Sequence, residues 1–101
     1  MKIHSIVIAN LASPRQRFLG KLLEITPAGV TIRGIDLEAF EDWISHIAGQ
    51  EESGVQATTT FFPLHRVEKM IQDERLGAIP SLSATFLRRV GGSIEEFLER
   101  E

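Results

Sequence analysis

Two β-rich segments, divided by a stretch of helical character, constrain the fold of this chain more than any other feature. The first segment runs from Ile6 to Ile35 and the second from Thr58 to Met70, and both are rich in residues that favour strands. Between them, residues 36–49 repeat apolar side chains at helical intervals. The two segments are therefore predicted to form the halves of one small, strongly bent β-barrel that is interrupted by a helical insertion.

The first segment divides into three predicted strands joined by short turns. The strands are Ile3–Leu11, Arg17–Ile25 and Val30–Ile35. Pro14 cannot continue a strand ladder, so the first strand ends before it. A Thr-Pro-Ala-Gly turn then separates the second strand from the third.

The second segment is predicted to supply two more strands around a corner. A polar loop over 50–56 leads into Val55–Phe62, which is rich in Thr and Phe. Pro63 marks a corner or an edge, because it cannot donate a ladder hydrogen bond. Residues 64–71 alternate as a fifth strand would, and a helix is the competing interpretation because their apolar residues also fit helical spacing.

The insertion and the C-terminal part are predicted to be helical. The inserted helix covers about 36–49 and has Asp36 as a suitable N-cap. In the tail, about 81–100, Ser81 or Ser83 caps a short helix. A Ser-x-x-Glu capping box then opens a terminal helix.

Composition bounds the size and the chemistry of the protein. With 101 residues, 43% of them hydrophobic and 25% charged, the chain is expected to form one domain with a modest core that oligomerisation would help to stabilise. The absence of cysteine excludes disulfides, thiol catalysis and zinc–thiolate sites, and it fits a reducing compartment. No apolar run is long enough for a signal sequence or a membrane span, so a cytoplasmic location without membrane contact is predicted.

Charge is distributed unevenly along the chain, whose formal net charge is -3. Residues 1–35 carry a net charge of +4, residues 36–56 carry -6 without any Lys or Arg, and residues 57–101 carry -1. This split predicts one basic and one acidic face. In a ring the two faces could meet between neighbours, or the basic face could meet an anionic ligand.

The second predicted strand resembles the first motif of the Sm-like family. That motif places an aromatic or aliphatic residue, a glycine and a leucine at alternating positions, which Phe18, Gly20 and Leu22 occupy here. Residues 57–70 are similar to the part of the family that forms its short fourth and fifth strands. The resemblance covers about residues 3–71, apart from the insertion. It implies a bent five-stranded barrel, a homo-oligomeric ring and RNA binding, with the glycine allowing the second strand to bend sharply.

The chain departs from this family at the residues that read RNA bases. Thr26 stands where the family has Asp, and Gly29 falls where it has Asn. The Ile-Arg-Gly triplet that Sm and archaeal members carry in their second motif is absent from residues 57–70. Of the Tyr-Lys-His sequence that faces the pore in bacterial members, only the histidine is matched, by His65. The resemblance thus implies a retained fold without the usual base-reading residues.

Basic residues near the predicted turns are the candidates for nucleic-acid contact. Arg15 and Arg17, which follow the first turn, could form a basic rim together with Lys21. His65 could stack on a base, and Arg66 could bind phosphate. Solvated surface charge is the alternative interpretation. The predicted nucleic-acid-binding residues are Arg15, Arg17, Lys21, His65 and Arg66.

Large aromatic residues are the candidates for a protomer interface. The helical spacing of Phe40 and Trp43 also fits packing of the inserted helix on the barrel. Phe61 and Phe62 are adjacent and point to opposite faces of a strand, so at least one should be exposed unless another element covers it. The predicted interface residues are Phe40, Trp43, Phe61 and Phe62.

Catalysis is not predicted for this chain. His4, His46 and His65 are widely spaced and match no metal-binding pattern, and no Gly-x-Ser-x-Gly motif is present. We therefore expect no enzyme activity, no metal and no cofactor.

Together these patterns predict a mainly-β fold: a small five-stranded, bent, antiparallel SH3-like or Sm-like barrel with an inserted helix and short C-terminal helices. The first functional hypothesis is a ring-forming RNA-binding protein that lacks the usual base-reading residues. The alternative is an oligomeric protein-interaction or scaffold module without nucleic-acid binding. A monomeric SH3-like peptide binder is less favoured, because the chain has no Tyr and a single Trp.

Overall fold

The strands form one five-stranded antiparallel sheet, which confirms the mainly-β prediction. The computed structural model describes residues 1–50 and 54–100. The order of strands across the sheet is β4-β3-β2-β1-β5, so β4 and β5 lie at its two edges. The strands are β1 (Ile6–Leu11), β2 (Gln16–Thr26), β3 (Gly29–Asp36), β4 (Thr58–Pro63) and β5 (Val67–Gln72).

Three helices follow the predicted positions in the insertion and the tail. They are α1 (Phe40–Ala48), which a 3₁₀ turn over Leu37–Ala39 precedes, α2 (Leu82–Val90) and α3 (Ile94–Leu98).

The predicted caps are in place. The carboxylate of Asp36 accepts a hydrogen bond from the backbone N–H of Glu38 at the start of the 3₁₀ turn. Ser81, rather than Ser83, caps α2 by accepting from the N–H of Ala84. The hydroxyl of Ser93 caps α3. These side chains satisfy backbone donors that a helix leaves without partners at its first turn.

The structure differs from the predicted strand limits by more than one residue at three places. Residues 3–5 precede β1, and residues 55–57 precede β4. Leu64–Arg66 form a 3₁₀ turn, so the prediction of a strand from residue 64 was wrong for these three residues and right from Val67 onward. The turn is needed because the chain passes here from a strand beside β3 to a strand beside β1. Part of the loop predicted over 50–56 lies outside the described residues.

Gly20 and Gly34 allow β2 and β3 to approach closely. They are cross-strand partners in β2 and β3. A Cβ atom on Gly20 would meet the backbone of Arg33, and one on Gly34 would meet the backbone of Leu19. Only glycine permits two backbones to approach this closely, which explains the presence of glycine in the middle of β2.

Both faces of the bent sheet are buried. On the concave face, the rings of Phe18 in β2 and Phe62 in β4 pack edge to face, with centroids 5.1 Å apart. Residues of β1 and β4 share this inner core although two strands separate them in the sheet, which requires the sheet to curl. The inner core contains Val7, Ala9, Leu11, Phe18, Leu22, Val30, Ile32 and Phe62.

The helices cover the opposite face of the sheet and form a second, outer core. Phe86 of α2 is fully buried there and lies against Trp43 of α1, with ring centroids 4.9 Å apart. The outer core contains Leu19, Ile35, Phe40, Trp43, Ile44, Phe86, Ile94 and Leu98. The insertion and the tail are therefore one layer packed on one face of the sheet, an arrangement that buries the apolar stripe of each helix.

Candidate functional site

Arg66 holds the β1–β2 turn in place. Its Nε donates to the carbonyl of Ala12 at 3.1 Å, and its Nη2 donates to the carbonyl of Pro14 at 3.0 Å. The backbone N–H of Ala12 donates in return to the carbonyl of Arg66 at 2.8 Å. The guanidinium carbon also lies 5.8 Å from the ring centroid of Phe62. Arg66, a predicted nucleic-acid contact, thus has a structural role within the chain.

Lys21 is engaged in a similar way at the other end of the sheet. Its Nζ lies 2.6 Å from Oε1 of Glu99, which directly follows α3. The hydrogen bond and the charge of Lys21 lower the pKa of Glu99 below its ordinary value, with a smaller contribution from the charge of His4. Arg33 donates to the carbonyls of Leu98 at 2.7 Å and Arg100 at 3.1 Å. Both cations fasten the C-terminal helix to the sheet.

Arg15, Arg17 and His65 remain exposed. Within residues 1–50 and 54–100, the side chains of these three form no hydrogen bond or ion pair. Arg15 lies in the β1–β2 turn, and His65 lies in the 3₁₀ turn that Arg66 connects to it. The structure therefore brings four of the five predicted nucleic-acid contacts to one end of the sheet, and three of these, Arg15, Arg17 and His65, are not engaged within the chain.

Lys69, which the sequence analysis did not single out, belongs to the same basic group. Asn10 is the cross-strand partner of both Arg17 in β2 and Lys69 in β5, so the three residues form a row on one face of the sheet. Lys69 is exposed. The signal that reveals it is the pairing register, because the two cations are 52 positions apart in the sequence.

A groove of about 370 Å³ lies beside this row. Asp36 frames it, since Oδ2 accepts from Nε2 of Gln16 at 3.0 Å while Oδ1 accepts from the N–H of Glu38 at 3.0 Å. These bonds tie β2 to the 3₁₀ turn before α1. The lining residues are Asn10, Leu11, Arg15, Gln16, Arg17, Glu38 and Glu68. The groove thus presents cations and carboxylates together.

Of the four aromatic interface candidates, one is on the surface. Phe40, Trp43 and Phe62 are 6%, 4% and 4% exposed and belong to the protein's own two cores, whereas Phe61 is 49% exposed. The packing of α1 against α2 explains the burial of the first two. Phe61 projects from edge strand β4 on the face opposite Phe62.

The two edge strands offer unpaired backbone. In the part of the chain that the structure describes, β4 pairs with β3 alone and β5 pairs with β1 alone. Each edge carries an exposed apolar side chain, Phe61 on β4 and Ile71 on β5, which is 40% exposed. An edge of this kind is a template for pairing with another strand.

Two further features, a metal-binding cluster and a membrane-spanning helix, are absent from the described residues. Among the described residues, no group of three or more His, Cys, Asp or Glu side chains could hold a metal ion. None of the described helices combines the length and the apolar character that crossing a membrane requires.

No family model, curated protein or solved structure matches this chain. The resemblance to the Sm-like family therefore rests on Phe18, Gly20 and Leu22 and on the order of the strands.

Proposed function

We propose that this chain is a small Sm-like barrel module that assembles with copies of itself and acts as an oligomeric protein-interaction scaffold. The observation that carries this proposal is the pair of open edges, β4 and β5, at the two ends of one curled sheet. The close approach of β2 and β3 at Gly20 and Gly34 and the contact between Phe18 and Phe62 support a barrel. A barrel that stays open between its end strands exposes backbone groups that a second copy can pair with.

The two edges match in length, and each carries one exposed large apolar side chain. Each edge strand has six residues, β4 from Thr58 to Pro63 and β5 from Val67 to Gln72. Antiparallel pairing over all six would place Thr59 opposite Ile71 of the next copy and Phe61 opposite Lys69. Phe61 would then cover the aliphatic stem of that lysine and lie diagonal to Ile71, which removes exposed apolar surface from water.

The absence of cysteine makes this register directly testable. The double variant T59C/I71C places one thiol on each edge, on the same face of the proposed continuous sheet. Mild oxidation should then produce disulfide-linked oligomers on a non-reducing gel, because opposed residues on paired strands approach within disulfide range.

The matched control is T59C/Q72C, which moves the second thiol by one position to the other face of the sheet. It should give far less cross-linked product. Equal cross-linking in both variants would indicate random collision, and a monomeric mass by light scattering at all concentrations would contradict self-assembly.

Binding of RNA through its phosphates is the second candidate function. The exposed cations Arg15, Arg17 and Lys69 favour it, because they lie at one end of the sheet together with His65. Such contacts would bind the backbone without reading bases.

The test measures the affinity for a mixed RNA pool at two salt concentrations, for the wild type and for R15A/R17A. Phosphate binding requires an affinity that falls with salt and a smaller salt dependence in the variant. The matched control is K2A/R88A, which removes two exposed cations whose side chains form no hydrogen bond or ion pair within the described residues. An affinity that neither salt nor R15A/R17A changes would exclude this function and leave the scaffold.

A further inference from the structure

The groove beside the β1–β2 turn has an unusual balance of charge. Arg15 and Arg17 bring two guanidinium groups to it, while Glu38 and Glu68 bring two carboxylates. Within the described ranges, none of these four side chains forms an ion pair or a hydrogen bond. In contrast, Lys21, Arg33 and Arg66 are all engaged with other residues of the protomer. The charges at the groove are therefore available for a ligand.

The walls of the groove are held by contacts that do not use those charges. The β1–β2 turn, which carries Arg15, is fixed by the two hydrogen bonds from Arg66 to the carbonyls of Ala12 and Pro14. The turn that carries Glu38 is fixed by Asp36, which bonds Gln16 and the N–H of Glu38 at once. A site whose frame is ordered in advance loses less entropy when a ligand binds.

We propose that this groove binds a small zwitterion of the size of an amino acid or a dipeptide. Its carboxylate is received by Arg15 and Arg17, and its ammonium group by Glu38 and Glu68. Asn10 can donate and accept, so it serves the amide or the polar centre of the ligand.

Charge and volume both select this class of ligand. Two cations and two carboxylates leave the lining without net charge, so a polyanion gains at the arginines and is repelled at the glutamates. The volume of about 370 Å³ lies near the lower end of the range for small-molecule sites, roughly 300–1,000 Å³. This inference does not depend on the proposed assembly, because all seven lining residues belong to one protomer.

The test is a titration of the isotope-labelled full chain followed by amide chemical shifts. Three probes are compared at equal ionic strength: glycylglycine, inorganic phosphate and putrescine. Glycylglycine should produce saturable shifts at Asn10, Arg15, Arg17 and Glu38, while the anion and the diamine should produce weaker ones.

Charge-neutral variants test the two arms of the site separately. The anion-binding arm is Arg15 and Arg17, and the cation-binding arm is Glu38 and Glu68. R15Q/R17Q removes the anion-binding arm and E38Q/E68Q removes the cation-binding arm, and each should weaken glycylglycine binding about tenfold or more. R88Q/E95Q changes two exposed charges away from the groove and should leave the affinity unchanged. All of the substituted residues are exposed, so each variant should fold as the wild type does. Folding is checked by comparing the amide chemical shifts of each variant with those of the wild type, away from the substituted sites.

Several results would overturn the proposal. They are the absence of saturable shifts with glycylglycine, equal shifts with phosphate alone or putrescine alone, and an affinity that neither double variant changes. Tighter binding of an oligouridylate at the same amides would also overturn it and would assign the groove to nucleic acid.

Discussion

Gly20 and Gly34 face each other across β2 and β3, and neither position has room for a Cβ atom. The neighbouring atoms are backbone atoms, which cannot rotate away as the end of a side chain can. The close approach of two backbones at this point is therefore a property of the fold and not of its side-chain packing.

Substituting either glycine by alanine should destabilise the protein. G20A or G34A forces β2 and β3 apart, and overpacking of this kind costs about 1–3 kcal/mol of the free energy of unfolding. Urea unfolding followed by circular dichroism measures this loss. G54A is the control, because a Cβ at Gly54 meets nothing within 4 Å. Equal stability of G20A and G54A would show that the strands do not approach as described.

Arg66 should contribute to stability through the turn it holds. R66A removes two hydrogen bonds to the carbonyls of Ala12 and Pro14. Bonds from a charged donor contribute about 1.5–3 kcal/mol, so we expect a loss of that order in urea unfolding. The neighbouring substitution H65A removes an exposed side chain and should change stability by less than about 0.5 kcal/mol. If both variants behave alike, Arg66 is a surface cation and the turn is held by other contacts.

The contact between Lys21 and Glu99 should make stability depend on pH. Because Lys21 lowers the folded-state pKa of Glu99, the stabilisation is present above the pKa of Glu99 in the unfolded chain. It is lost as the pH falls through the lower, folded-state pKa. Unfolding midpoints measured in this acidic range should show a smaller pH dependence for E99Q than for the wild type.

Two further variants check that assignment. K21Q should reduce the pH dependence in the same way, because it removes the cation that lowers the pKa of Glu99. E95Q alters an exposed glutamate of the same helix and should retain the wild-type pH dependence. A wild-type profile for E99Q would mean that the ion pair does not persist in solution.

The outer core should make Trp43 indispensable to the single protomer. W43A leaves a cavity beside Phe86, and truncation of a large buried aromatic residue costs about 3–5 kcal/mol. This loss should be the same at low and high protein concentration, since the contact lies within one chain. L87A removes an apolar side chain that is 54% exposed and should cost much less. A loss for W43A that grows on dilution would instead place Trp43 at an interface between copies.

Several elements could be predicted because their signals are local. The caps at Asp36, Ser81 and Ser93 are set by residues within one turn of each helix. Glycine in the middle of a strand is typical of a bend or of a close approach of another backbone, and at Gly20 the structure shows the close approach. The five-stranded antiparallel sheet followed from alternation and turn residues, and the structure confirms it.

Other features depend on contacts between distant parts of the chain. The role of Arg66 arises from carbonyls 52 and 54 positions away. Phe40 and Trp43 were candidates for an interface because their spacing indicates an apolar stripe without indicating what covers it. The answer is Phe86 and the tail, which no local pattern assigns to that place. The groove likewise combines residues of three separate parts of the chain.

The fastening of the tail has a consequence for the newly made protein. Lys21 and Glu99 are separated by 78 positions, and Arg33 reaches carbonyls 65 and 67 positions later. While a ribosome is still translating the tail, Leu19 and Ile35 have no helices α2 and α3 to cover them. The nascent chain can form its inner core first. The apolar residues on the other face of the sheet become buried only after the last helix has left the ribosome. Ribosome-bound chains that stop before α2 should therefore attract chaperones that recognise exposed apolar surface.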